Sequence, residues 1–223
     1  MKTFKAIIFF SLVVSILIYG CGEESAPPPP EPQMLDYEGT IVAVGDSLTE
    51  GLGVEEEMAY PAVLEEKLRA QGYPFKVVNA GNSGETSSGT LARIKWVLTL
   101  KPDIVILVTG ANDGFRGIDP DLIKNNIQKI VKELKHQKVI VVLGAMQIVQ
   151  NLGKDYTTAF ANIYPEIAQS ENIILTPFFL NGVAANRKLN QADGIHPTAE
   201  GYQVIVDNIT PSVVEAIEAH RQK

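Results

Sequence analysis

Between residues 40 and 220 the chain repeats one pattern. A short run of β-branched and aliphatic residues meets a break of glycine or small polar residues, and a longer segment follows with apolar residues three and four apart. The runs are Thr40–Val44, Lys76–Asn79, Asp103–Thr109, Lys138–Leu143 and the weaker Asn172–Leu175. Continuous apolar runs of this length suit strands buried on both faces. Helices are predicted between them. Tyr60–Gln71 has Pro61 in its first turn and Leu64 and Leu68 on one face, and Ser87–Leu100 has Leu91, Ile94 and Leu98 in phase. Asp119-Pro120 opens a helix to Lys135 bearing Ile123, Ile127, Ile130 and Leu134. Tyr156–Gln169 follows, which Pro165 should kink or shift, and a last helix runs from about Thr198 towards His220, interrupted near Pro211. Strand–helix alternation of this kind predicts a three-layer α/β/α fold around about five parallel strands in the order 2-1-3-4-5. There is no internal repeat. Chemistry in such a sheet belongs just beyond the carboxyl ends of the strands.

The first 38 residues break this pattern. Met1 to Lys5 carries two lysines, and Ala6 to Ile18 is apolar except for Ser11 and Ser15. A charged start before an apolar stretch too short for a comfortable span is the shape of an export signal. It ends at Ile18-Tyr19-Gly20-Cys21, which resembles a bacterial lipobox, so residues 1–20 are expected to be a lipoprotein signal peptide and Cys21 the lipid-attachment site. The alternative is an uncleaved anchor with an incidental cysteine; either way the domain is placed in the cell envelope, tethered to a membrane. Residues 21–38, including Pro27-Pro28-Pro29-Pro30-Glu31-Pro32, are expected to be an extended spacer. At about 3.1 Å per residue, some ten such residues would hold a domain of residues 39–223 roughly 30 Å from the lipid.

Composition narrows the chemistry. The net charge of -7 argues against nucleic acid or an anionic lipid surface as the main partner, since both need clustered Lys and Arg. Cys21 is the single cysteine, so no intramolecular disulfide and no Cys-rich metal site can form. No metal or cofactor is expected: there is no HExxH, no P-loop and no GxGxxG after a strand. The only histidines are His136, His196 and His220.

At the strand ends stand Gly45-Asp46-Ser47-Leu48-Thr49, Asn79-Ala80-Gly81-Asn82-Ser83-Gly84-Glu85-Thr86 and Gly110-Ala111-Asn112-Asp113-Gly114; Asp193-Gly194-Ile195-His196-Pro197 precedes the last helix. Each alone reads as a turn. Together they hold the parts of acyl transfer. A serine hydroxyl needs a base to take its proton, and histidine suits that role near neutral pH. His136 closes a helix and His220 lies in the polar tail; His196 sits in a Gly/Pro-bounded loop that can reach the sheet edge, with Pro197 disfavouring helical geometry there. Asp193 can fold back onto the other ring nitrogen. The backbone N–H groups of Ser47 and Gly84 and the Asn112 amide are candidate donors to a developing oxyanion. Asp46 and Asp113 are expected to brace turns. Trp96 is expected in the core, and Phe115 and Ile118 either in an acyl groove or in packing.

With these residues assembled, the chain resembles the SGNH/GDSL hydrolase family in four landmarks: Ser47 in Gly-Asp-Ser-Leu, Gly84 in Ser-Gly-Glu-Thr, Asn112 in Gly-Ala-Asn-Asp-Gly and His196 in Asp-Gly-Ile-His-Pro. It is most similar to the thioesterase, lysophospholipase and arylesterase branch, in Leu91-Ala92-Arg93, Asn112 to Gly117, Met146-Gln147-Ile148 and Pro177-Phe178-Phe179. The resemblance covers about Thr40 to Ile217. It implies a flavodoxin-like fold and cofactor-free hydrolysis of small-molecule or lipid esters, lysophospholipids among them. Met146 to Gly153 departs from relatives that carry prolines before the Asn, which leaves the acyl preference open. Two other readings stand beside the esterase: a carbohydrate O-acetylesterase, and a non-catalytic envelope binding lipoprotein.

Overall fold

The computed structural model of the protein describes residues 36–148 and 150–223. The signal segment, Cys21 and the proline run lie outside the described residues.

Five parallel strands form one sheet: β1 (Gly39–Gly45), β2 (Phe75–Gly81), β3 (Ile104–Val108), β4 (Ile140–Ala145) and β5 (Ile174–Phe178). Their order is β2-β1-β3-β4-β5, as the alternating pattern predicts. The longer helices are α2 (Tyr60–Ala70), α3 (Ser87–Thr99), α5 (Pro120–His136), α6 (Lys154–Glu171) and α7 (Ala199–Arg221). Helices α3, α5 and α6 pack side by side, while α2 packs with α7. With both faces covered, every residue of β3 is buried and the apolar run needs no alternation. Helix α5 shows the matching helical logic. Asp119 caps its start through the Asp121 N–H at 2.9 Å, and Ile123, Ile127, Ile130 and Leu134 are fully buried along one stripe. Each such side chain contributes about 1.5–3 kcal/mol by leaving water.

The interruption expected near Pro211 is corrected. Pro165 lies inside α6 and Pro211 inside α7, and both helices run through. A proline removes one hydrogen bond, but the turns on each side are held by tertiary packing. Phe160, Tyr164 and Ile167 are buried around Pro165, and Ile205, Ile209, Val213 and Ile217 are buried around Pro211. Trp96 is also corrected: it is 50% exposed, with the Arg93 guanidinium 5.6 Å from its ring centre. Two short helices, α1 (Ser47–Glu50) and α4 (Ala111–Phe115), occupy stretches that read as turns.

Candidate active site

Strand register brings the strand-end segments together. Gly45, the last residue of β1, pairs with Gly81 of β2 and Val108 of β3. Three adjacent strands therefore end at one level, and the segments bearing Ser47, Glu85 and Asn112 leave the sheet side by side. Helix α1 turns so tightly over this edge that a Cβ on Gly81 would lie 2.1 Å from the Glu50 backbone nitrogen. Only a residue without a side chain fits there.

Ser47 is the first residue of α1. The preceding Asp46 caps that helix by accepting the Leu48 N–H at 3.0 Å. His196 arrives from the other direction, in the connection between β5 and α7. This connection folds back on itself: the Gln191 N–H donates to the His196 carbonyl at 2.8 Å and the Thr198 N–H to the Leu189 carbonyl at 2.9 Å. The Gln191 side chain donates to the Leu52 carbonyl at 2.7 Å and to the Pro197 carbonyl at 2.9 Å, which pins the loop to the segment after α1. Thr198 caps α7 through the Gly201 N–H, so the helix starts after Pro197 and leaves His196 on the loop.

His196 Nε2 lies 2.9 Å from Ser47 Oγ, across 149 positions of sequence. Its Nδ1 lies 2.6 Å from Asp193 Oδ2. The other carboxylate oxygen of Asp193 accepts the backbone N–H groups of Ile195 at 2.8 Å and His196 at 3.0 Å. A carboxylate can only accept, so Nδ1 carries a proton, and in the neutral ring that tautomer leaves the Nε2 lone pair facing the hydroxyl. The bond from His196 and the two N–H groups hold the Asp193 carboxyl down to about 2. Asp46 behaves in the opposite way. It is 2% exposed, and burial pushes its carboxyl up to about 6 against the opposing pull of the Leu48 N–H, His196 and Asn112.

The Asn112 side chain spends both amide protons within the protein, one on Asp46 Oδ2 at 3.1 Å and one on the Glu85 carbonyl at 3.0 Å. Gly84 stands one residue before Glu85 with φ +76°, and its carbonyl accepts from Arg116 at 3.0 Å. Among the described residues, neither the Ser47 nor the Gly84 N–H donates to a protein group. Asp113 braces the neighbouring loop by accepting the Ser87 N–H at 2.7 Å and the Ser87 hydroxyl at 2.6 Å. His136 and His220 lie elsewhere, the latter packed edge-on against Phe75.

A pocket of about 150 Å³ opens beside Ser47, lined by Leu48, Ala111, Asn112, Phe115, Met146, Gln147, Leu180, Ile195 and His196 as well as Asp46. Phe115 thus belongs to the groove, whereas Ile118 packs against the core. Phe115 is 50% exposed and Ile195 44%, so the mouth is apolar and wet. A larger hollow of about 670 Å³ lies at Ala185–Gly194 and contains neither Ser47 nor His196. Two features had no legible sequence signal: the Glu85–Arg93 ion pair and the Gln191 anchor. Each joins residues that no local pattern connects.

The chain is similar to known proteins. The model of the GDSL-like Lipase/Acylhydrolase family matches residues 43–204. Esterase TesA of Pseudomonas aeruginosa is 36% identical over 175 residues, covering 78% of this chain and 87% of that protein. Thioesterase 1/protease 1/lysophospholipase L1 of Escherichia coli is 34% identical over 169 residues, covering 75% of this chain and 80% of its own length. The crystal structure of psychrotrophic esterase EstA from Pseudoalteromonas sp., inhibited by monoethylphosphonate, aligns with TM-score 0.77 at 29% identity, covering 81% of this chain and all of that one.

Proposed function

The chain belongs to the GDSL-like lipase/acylhydrolase family and hydrolyses esters, and on that premise we propose that Ser47 is its nucleophile, His196 its base and Asp193 the group that orients the base. The observation that carries this reading is the 2.9 Å contact between Ser47 Oγ and His196 Nε2. The hydroxyl oxygen attacks the ester carbonyl as Nε2 takes its proton. The tetrahedral oxyanion accepts the N–H groups of Ser47 and Gly84, and the Asn112 amide turns one proton from the Glu85 carbonyl towards it. The C–O bond breaks as the imidazolium returns its proton to the departing alcohol. Water then attacks the acyl–Ser47 ester by the same steps and frees the acid.

The pocket favours an apolar acyl group over an acetylated sugar. Leu48, Ala111, Phe115, Met146, Leu180 and Ile195 supply most of its wall. At about 150 Å³ it falls below the ~300–1,000 Å³ typical of sites for whole small ligands. It takes the carbonyl and a short to medium chain, and longer chains run out over Phe115 and Ile195. Among the lysophospholipids and thioesters that the name of the Escherichia coli relative suggests, those with long acyl chains are then slower substrates. On p-nitrophenyl esters the rate should peak at butanoyl to hexanoyl and fall at decanoyl; turnover confined to acetylated sugars would reject the assignment. Ser47→Ala should abolish turnover and fluorophosphonate labelling while the protein stays folded.

We propose further that residues 1–20 are a cleaved lipoprotein signal, that Cys21 carries the lipid and that residues 21–38 space the enzyme from the membrane of the cell envelope. The position of the single cysteine where the apolar run stops supports this. Cys21→Ser should move the protein from the membrane pellet to the soluble fraction.

A further inference from the structure

Glu85 directly follows Gly84 and is 8% exposed. Its carboxylate faces Arg93 of α3: Nε lies 2.7 and 2.9 Å from the two oxygens, and Nη2 lies 2.7 Å from one of them. The same Nη2 donates to the Ala80 carbonyl at 2.8 Å and the Gly45 carbonyl at 3.3 Å. Asn82 and Thr90 also donate to the carboxylate, at 3.1 and 3.0 Å. The Glu85 main-chain carbonyl accepts one proton of the Asn112 amide at 3.0 Å. One ion pair therefore touches the end of β1 two residues before Ser47 and the end of β2, and its own Glu85 backbone joins Gly84 to the carbonyl that holds the Asn112 amide in place until one proton turns to the oxyanion. The fold keeps room for it, because a Cβ on Gly89 would meet Glu85 Cγ at 2.8 Å.

Stability alone is a poor reason to put such a pair here. Withdrawing a carboxylate and a guanidinium from water is costly, and an apolar pair of equal volume often stabilises as well or better. What an apolar pair cannot do is bond to two strand-end carbonyls and the Gly84 loop in one fixed geometry, which a planar guanidinium does well. We infer that Glu85 and Arg93 are positioning residues that aim the three oxyanion donors, those of Ser47, Gly84 and Asn112. This inference rests on the proposed roles of those three residues.

The test compares Glu85→Gln, Arg93→Lys and Thr90→Val with wild type on p-nitrophenyl butyrate. It also compares the rate at which a fluorophosphonate labels Ser47, a reaction that places a phosphonyl oxygen where the oxyanion forms. A misplacement near 1 Å costs roughly 100-fold and loss of one donor roughly 100- to 1,000-fold, so a loosened aim is expected to cost about 30-fold. Glu85→Gln should lower kcat and the labelling rate together by about that factor, with KM within about twofold. Arg93→Lys keeps the charge but cannot span the same acceptors, and should lose about 10-fold. Thr90→Val removes one bond to the carboxylate and should lose about threefold. A purely structural role would lower the melting temperature and leave kcat and labelling of the folded enzyme unchanged. Folded Glu85→Gln with both rates within twofold of wild type overturns the inference; if that variant does not fold, wild-type rates in Thr90→Val overturn it instead. Ser47→Ala run in parallel separates the two layers. Turnover without Ser47 sinks the underlying mechanism, whereas a dead Ser47→Ala beside a fully active Glu85→Gln sinks only the positioning role.

Discussion

Asp46 and Asp193 stand one beside each member of the Ser47–His196 pair, and the fold treats them in opposite ways. Asp46 closes the junction between β1 and α1, is 2% exposed, and holds its proton up to about 6 because burial penalises the charge. Asp193 sits on a loop tip with 44% of its side chain exposed, and three N–H donors hold it down to about 2. The difference follows from what each must do. In the proposed mechanism an imidazolium forms and disappears at His196 in each half-reaction, so its neighbour must stay ionised throughout, and short charge-assisted bonds at a wet surface achieve that without burying a charge. The role of Asp46 is static, since it accepts from Leu48 and Asn112 and so joins α1 to α4.

The comparison breaks most sharply at Asp193→Asn. Its Oδ1 can still accept the Ile195 and His196 N–H groups, but its amide would face Nδ1 and force the proton onto Nε2, the wrong tautomer for accepting from Ser47. The expected result is a loss of kcat of roughly 1,000- to 10,000-fold at pH 7, with a melting temperature close to wild type. Any activity above one-tenth of wild type would show that the loop, and not the charge, does the orienting.

Asp46→Asn should act the other way round. Replacing a charged acceptor by a neutral one weakens the hold on Asn112, and kcat should fall only about 10-fold. Folding, by contrast, should become easier near pH 7, because no charge has to be buried. Thermal unfolding of the variant beside wild type reads both signs; a lower melting temperature at pH 7 would mean that the hydrogen bonds of Asp46 outweigh its desolvation.

The contrast also shows in the pH dependence of wild-type stability. Asp46 ionises near 3.8 when unfolded and near 6 when folded, so between those values the native state binds the extra proton and stability falls as pH rises. A gap of this size is worth about 3 kcal/mol. Asp193 has the reverse sign, losing its contribution as pH falls from about 4 towards 2. Denaturant unfolding should therefore show a decline from pH 4 to pH 6 that Asp46→Asn flattens and Asp193→Asn leaves in place.

Much of this architecture was readable from local pattern. The five strands appear at the expected runs within one to three residues, because a doubly covered sheet demands continuous apolar sequence and little else satisfies it. That Ser47, Asn112 and His196 come together at one edge of the sheet was legible because the segments carrying them adjoin strand and helix ends there. The misreadings have one cause. Pro211 does act against a helix locally, and Trp96 is an apolar side chain, but long-range packing decides whether a helix survives a proline and which residue of a face is left uncovered. Glu85 and Arg93 look like any charged pair on a loop and a helix. Their meaning comes from the strand ends they touch at Gly45 and Ala80.

What the linear chain determined by itself was the sheet, its order, and the set of groups able to carry out acyl transfer, since periodicity, turn chemistry and residue type are properties of neighbours in sequence. Tertiary structure alone decided that the Ser47 hydroxyl meets the His196 ring at 2.9 Å, that Asp46 is buried while Asp193 is not, and that one ion pair touches the end of β1, the end of β2 and the loop at Gly84. Those outcomes depend on distance and dielectric between segments up to 149 residues apart, and neither quantity exists until the strands have paired and water has left the space between them.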